Sequence, residues 1–148
     1  MTNFAPTSRD CRDTPPTVLI VEDEPVIREL MAMLLEDEGY AVHQAVDGLE
    51  ALERVEQHRI DLVLSDVKMP RLDGATLAHR LCARRHPIPV LLMSAVYAEV
   101  DLPGVRFLRK PVDCEQLLRI IAGTLQESGR SGPGGALDDR QSPTPLVG

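Results

Sequence analysis

The chain has 148 residues and a formal net charge of −7, a size that suits one domain and a charge balance that is a poor match for a nucleic acid backbone. No apolar stretch approaches the length of a membrane span, and the first thirty residues lack a signal-peptide core. Cys11, Cys82 and Cys114 are odd in number with no short spacing between them, so neither a disulfide framework nor a zinc site is indicated, and a reduced, cytoplasmic protein without nucleic acid or membrane partners is expected.

Residues 1–16 hold three prolines and no apolar period and read as a disordered tail. The core spans residues 17–126. Its first strand is Thr17 to Val21, followed by Glu22-Asp23. Pro25 is well placed in the first turn of a helix, in which Ile27, Leu30, Met31, Leu34 and Leu35 form one stripe and Gly39 marks the stop. A second strand covers Ala41 to Ala45. Asp47-Gly48 opens a second helix with Leu49, Leu52 and Val55 on one face. The third strand is Asp61 to Ser65, ending against Asp66, and the third helix runs from Gly74 to Arg85 with Leu77 and Leu81 inward. The fourth and fifth strands are Pro89 to Met93 and Val105 to Arg109. A last helix begins at Asp113, an N-cap with Gln116 three residues on, and continues through Leu117, Ile121 and Leu125. Residues 127–148 contain Gly, Ser or Pro at 11 of 22 positions and read as a second disordered tail, too short and too rich in Gly and Pro for a helix-turn-helix.

Strand and helix alternate, and several strands are continuous apolar runs of the kind buried on both faces. The expected fold is therefore α/β: a flavodoxin-like, doubly wound, five-stranded parallel sheet in the order 2-1-3-4-5. Only fifteen residues separate Ser94 from Lys110. Once the fifth strand is subtracted, the remainder sits at the limit of ~10 to 12 residues that a strand-helix-strand crossover needs, and Pro103-Gly104 interrupts it. A shortened or missing fourth helix is expected between Ala95 and Leu102.

In such a sheet the carboxyl ends of the strands converge on one crevice. That geometry would gather Glu22, Asp23, Asp66, Ser94 and Lys110 around one point. Magnesium is usually held by one or two carboxylates with waters and phosphate oxygens, and a cation relieves the mutual repulsion of clustered acids. Asp66 stands at the mouth of the crevice, before Val67-Lys68-Met69-Pro70. A carboxylate can accept a phosphoryl group if the equatorial oxygens are neutralised, and Lys110, Ser94 and the metal could do so. Each residue alone has an ordinary reading as a solvated surface or turn residue; the set carries the chemistry.

The segments VLIVEDE, DLVLSDVKMPRLDG, LLMSA and FLRKPVD, in this order, resemble the response-regulator receiver domains of two-component signalling. The resemblance implies that Asp66 is the phosphoacceptor, that Asp23 binds Mg2+ directly and Glu22 through a water, and that the backbone carbonyl of Lys68 completes the protein ligands. It implies that Ser94 and Lys110 contact the phosphoryl oxygens, that Ser94 and Phe107 form the switch pair, and that the Lys110-Pro111 peptide is cis. Lys68 and Val96 match positions that influence attack by water, and together suggest a slowly hydrolysing phosphoryl-aspartate. The function so implied is a stand-alone receiver that takes phosphate from a histidine kinase or histidine phosphotransfer protein. It would dock through Pro25, Val26 and the Lys110-Pro111 loop and act by binding an unknown downstream protein or by passing phosphate onward in a phosphorelay, without a DNA-binding output domain. His43, His58, His79 and His86 lie in no phosphotransfer motif and read as surface or loop residues. A haloacid dehalogenase-type phosphatase would use similar groups, but it needs an acid two residues after its nucleophile, where this chain has Lys68. A pseudo-receiver scaffold would be expected to lack one of the five site residues.

Overall fold

A computed structural model of the chain describes residues 14–69, 71–95 and 102–127. Five parallel strands, β1 (Thr17–Val21), β2 (Ala41–Ala45), β3 (Leu62–Asp66), β4 (Val90–Ser94) and β5 (Val105–Arg109), form one sheet in the order β2-β1-β3-β4-β5. Helices α1 (Pro25–Asp37), α2 (Gly48–Gln57), α3 (Gly74–Cys82) and α4 (Cys114–Glu127) cover it. The expected fold class and strand order are present.

The central strands explain why their sequences are unbroken apolar runs. Val18, Leu19, Ile20 and Val21 of β1 and Leu62, Val63 and Leu64 of β3 have no exposed surface, because alternate residues enter different cores. Leu19, Val21 and Val63 pack with Ala51, Val55, Leu77 and Leu81 of α2 and α3 on one face. Val18, Ile20, Leu62 and Leu64 pack with Ala32 and Leu35 of α1 and Leu117, Ile121 and Leu125 of α4 on the other. Each fully buried Leu or Ile contributes about 1.5–3 kcal/mol relative to exposure, so these two layers fix the register that brings the strand ends level.

Caps stop and start the helices where the sequence signals them. Asp47 accepts a hydrogen bond from the Glu50 amide at 2.9 Å, Asp73 from Thr76 at 2.8 Å, and Asp113 from Gln116 at 3.0 Å. Gly39 adopts φ 97°, the left-handed turn that ends α1.

Several boundaries and faces differ from the sequence reading. β3 and β4 are each displaced by one residue, so Asp66 and Ser94 are the last residues of their strands, with Asp66 in register with Met93. α3 ends at Cys82, where the Ala83 amide donates to the His79 carbonyl, rather than at Arg85. α4 includes Glu127, one residue into the segment assigned to the tail. On α1, Ile27 and Leu30 do not face the core: they are 42% and 60% exposed, beside Val26 and Met33. The apolar residues of α1 exceed what one face can bury, and the packed face is the one holding Met31, Ala32, Leu34 and Leu35. Leu49 of α2 is likewise exposed, its place in the core taken by Ala51. Among the described residues no helix lies between β4 and β5; the shortened or missing helix and Val96 fall on 96–101, outside the described residues. So do most of both expected tails.

Candidate functional site

The acidic cluster forms because β1 and β3 are neighbours in register, Val21 opposite Ser65. Glu22 and Asp23 follow directly on β1 and Asp66 closes β3. One carboxylate oxygen from each of Glu22, Asp23 and Asp66 lies within 4.8 Å of the others. The three differ in setting: Glu22 is buried, Asp66 half-buried and Asp23 exposed.

Backbone and side-chain bonds fix these groups. The Glu22 amide donates to the Ala45 carbonyl at 3.1 Å, and the Glu22 carbonyl accepts from Arg28 Nη1 of α1 at 2.9 Å. Glu22 Oε2 accepts from the Glu24 amide at 3.2 Å, whereas Oε1 is buried with no hydrogen-bond partner. Burial pushes the Glu22 carboxyl above the usual carboxylate range; Asp66 and Asp23 push the same way, while the Glu24 amide and Lys110 oppose them. An orphaned buried carboxylate oxygen among two further acids is what a hydrated divalent cation would satisfy. The residues present therefore fit Mg2+.

Asp66 Oδ1 accepts from the Val67 amide at 3.1 Å and pairs with Lys110 Nζ, also at 3.1 Å. Lys110 reaches it from the end of β5, where its amide donates to the Ser94 carbonyl at 2.8 Å. The peptide between Lys110 and Pro111 is cis. Ser94, 4% exposed, closes β4 between Asp66 and Lys110 in strand order. Phe107 is half-buried and packs on the α2–α3 side of the sheet. The structure thus brings Glu22, Asp23, Asp66, Ser94 and Lys110 to one end of the sheet. Lys68 lies in the connection after β3, and with Asp23, Val67, Met69 and Asp73 it lines a cleft of about 480 Å³.

Three supports escaped the sequence reading. Ser65 is fully buried, and its hydroxyl donates to the Asp66 carbonyl at 2.8 Å. Gly74 starts α3 against the same strand end: its amide donates to the Val67 carbonyl at 2.8 Å, and a Cβ there would stand 2.3 Å from the Asp66 carbonyl oxygen. Arg28 also binds Gln44 Oε1 at 3.0 Å, joining α1 to β2. The L-D-G run held the signal for Gly74; nothing local in the sequence marks Ser65 or Arg28.

A parallel sheet in this order with an acid-lined crevice at its carboxyl edge is the flavodoxin-like architecture. Residues 18–122 match the response regulator receiver domain family, and the chain belongs to that family. It is 41% identical over 113 residues to the response regulator GtcR of Aneurinibacillus migulanus, a match covering 72% of this chain and 46% of that protein. Among solved structures it is similar to the receiver domain from the hybrid histidine kinase CckA, at 39% identity and a TM-score of 0.65, over 74% of this chain and 98% of that one. The receiver domain of a signal transduction histidine kinase from Syntrophus aciditrophicus superposes with a TM-score of 0.71 at 29% identity, over 78% of this chain and 94% of that one. The chain spans about half the length of the first curated relatives it matches. Among the described residues, no helix is long and apolar enough to cross a membrane.

Proposed function

We propose that this receiver domain accepts a phosphoryl group on Asp66 in a Mg2+-dependent reaction, taking it from the phosphohistidine of a histidine kinase or histidine phosphotransfer protein. The observation that carries this reading is the cluster of Glu22, Asp23 and Asp66 with Lys110 Nζ 3.1 Å from Asp66. An Asp66 oxygen attacks phosphorus, the P–N bond breaks, and its electron pair leaves on the donor imidazole. Asp23 would hold the ion directly, Glu22 through a water and Lys68 through its carbonyl, and the ion supplies charge neutralisation at the phosphoryl oxygens. Lys110 exchanges its carboxylate partner for a phosphoryl oxygen, and Ser94 donates its hydroxyl to another. Movement of Ser94 toward the phosphoryl group would be read out at Phe107.

The donor's docking surface is supported by α1, which begins two residues after Asp23 and whose Val26, Ile27, Leu30 and Met33 are exposed. Such an apolar face on a helix that already buries another face in the core suits a helical partner. A phosphatase of the haloacid dehalogenase type is disfavoured by Lys68, an ammonium where that chemistry needs a carboxyl to serve the leaving group. Lys68 near the mouth supports a slowly hydrolysing phosphoryl-aspartate instead.

Incubation with acetyl phosphate and Mg2+ tests the proposal: the wild-type chain should gain the mass of one phosphoryl group, and Asp66→Asn should gain none. An unmodified wild-type chain refutes it. Decay measured before and after Lys68→Asn tests the lifetime, and equal rapid decay refutes that part.

A further inference from the structure

Asp47 and Arg71 form an ion pair that belongs neither to the acidic cluster nor to the two cores. Asp47, 5% exposed, caps α2: Oδ1 accepts from the Glu50 amide at 2.9 Å, and its carbonyl accepts from the Ala51 amide at 3.0 Å. The second oxygen, Oδ2, accepts from Arg71 Nε at 2.8 Å. Arg71 lies in the connection from β3 to α3 with φ 72°, a left-handed conformation unfavourable for a residue with a Cβ. The next residue, Leu72, sits against Gly48, where a Cβ would stand 2.5 Å from the Leu72 carbonyl oxygen. Two successive residues of this connection are therefore seated on the start of α2. Lys68 and Met69, from the same connection, line the cleft beside Asp23.

Stability alone does not account for arginine at this position. Its side chain is 58% exposed, and pairs with an exposed member contribute little, while glycine would adopt the left-handed backbone without penalty. We propose that the Asp47–Arg71 pair is a positioning clasp: it holds the β3–α3 connection against α2, and thereby sets how well Lys68 and its neighbours complete the cation pocket. This inference rests on the reading of Glu22, Asp23 and Asp66 as a metal pocket. It makes Arg71 a positioning residue anchored 24 positions away, at the start of α2.

Titration of the full chain with Mn2+, followed by electron paramagnetic resonance, tests the clasp. Arg71→Gly should keep or raise the melting temperature yet weaken Mn2+ binding about tenfold, the scale on which loss of an outer orienting contact acts. Asp47→Asn, which retains a good N-cap, should weaken it similarly, and the double variant should bind no worse than either single one. Wild-type affinity in Arg71→Gly, or losses that add in the double variant, would overturn the clasp alone. A wild-type chain without Mn2+ affinity would overturn the metal pocket and the clasp together.

Discussion

The ends of β1 and β2 lie side by side, Val21 opposite Ala45, and each is followed by a buried carboxylate held in the opposite way. Asp47 has every oxygen engaged. Burial raises its carboxyl, but the Glu50 amide, Arg71 and the Leu49 amide outweigh it and hold the group below the ordinary range. Glu22 keeps one oxygen unpartnered, and its carboxyl is pushed up. The same chemical group is thus a structural anchor at one strand end and an unfinished coordination site at the next. What separates them is the supply of donors: a helix N-terminus and a guanidinium for Asp47, two further acids for Glu22.

Neutralising the two residues should make this contrast visible. The largest effect is on the cation. Glu22→Gln removes one acid from the cluster and should weaken Mg2+ or Mn2+ binding by tenfold or more, measured by calorimetric titration. In chelator-treated protein the same substitution should raise stability, by about 1 kcal/mol or roughly 3–6 °C in a domain of this size, because the buried, repelled charge is gone. Asp47→Ala should do the reverse, costing about 1–2 kcal/mol through loss of the α2 cap; urea unfolding of both variants compares the signs. Equal signs would dissolve the comparison.

Acid pH gives a finer separation. The Asp47 carboxyl is depressed in the fold, so its stabilisation is present above the unfolded value and is lost as pH falls through the folded one. The Glu22 carboxyl is raised, so its ionisation penalises folding above the raised value, and the penalty fades as pH falls toward the unfolded one. The stability advantage of Glu22→Gln should therefore shrink in mild acid, while the deficit of Asp47→Ala shrinks only at still lower pH. Urea unfolding across a pH series reads both trends.

Much of this was legible in the chain itself. Unbroken apolar runs bounded by acids marked β1 and β3, because strands buried on both faces leave no room for polar alternation. Together with the segments of β4 and β5, these runs placed Glu22, Asp23, Asp66, Ser94 and Lys110 at strand ends to within one residue. Helix faces were less legible. α1 is apolar around more than one side, so its period could not say whether Ile27 and Leu30 faced the sheet or solvent; packing against β1 and β2 decides. Supports that depend on contacts distant in sequence, such as Ser65 on Asp66 or Arg71 on Asp47, leave no local signature. Asp47 was visible as a helix opener, and its second oxygen was not.

Strand order also distributes compliance. The acids stand on β1 and β3, each hydrogen-bonded to a strand on both sides, whereas Lys110 follows β5, an outer strand with one neighbour. The cationic partner is thus carried by the rim of the sheet and the anionic frame by its spine. Amide hydrogen exchange should run faster along Val105–Arg109 than along Thr17–Val21 or Leu62–Asp66, leaving the lysine free to follow an incoming charge while the acids hold still.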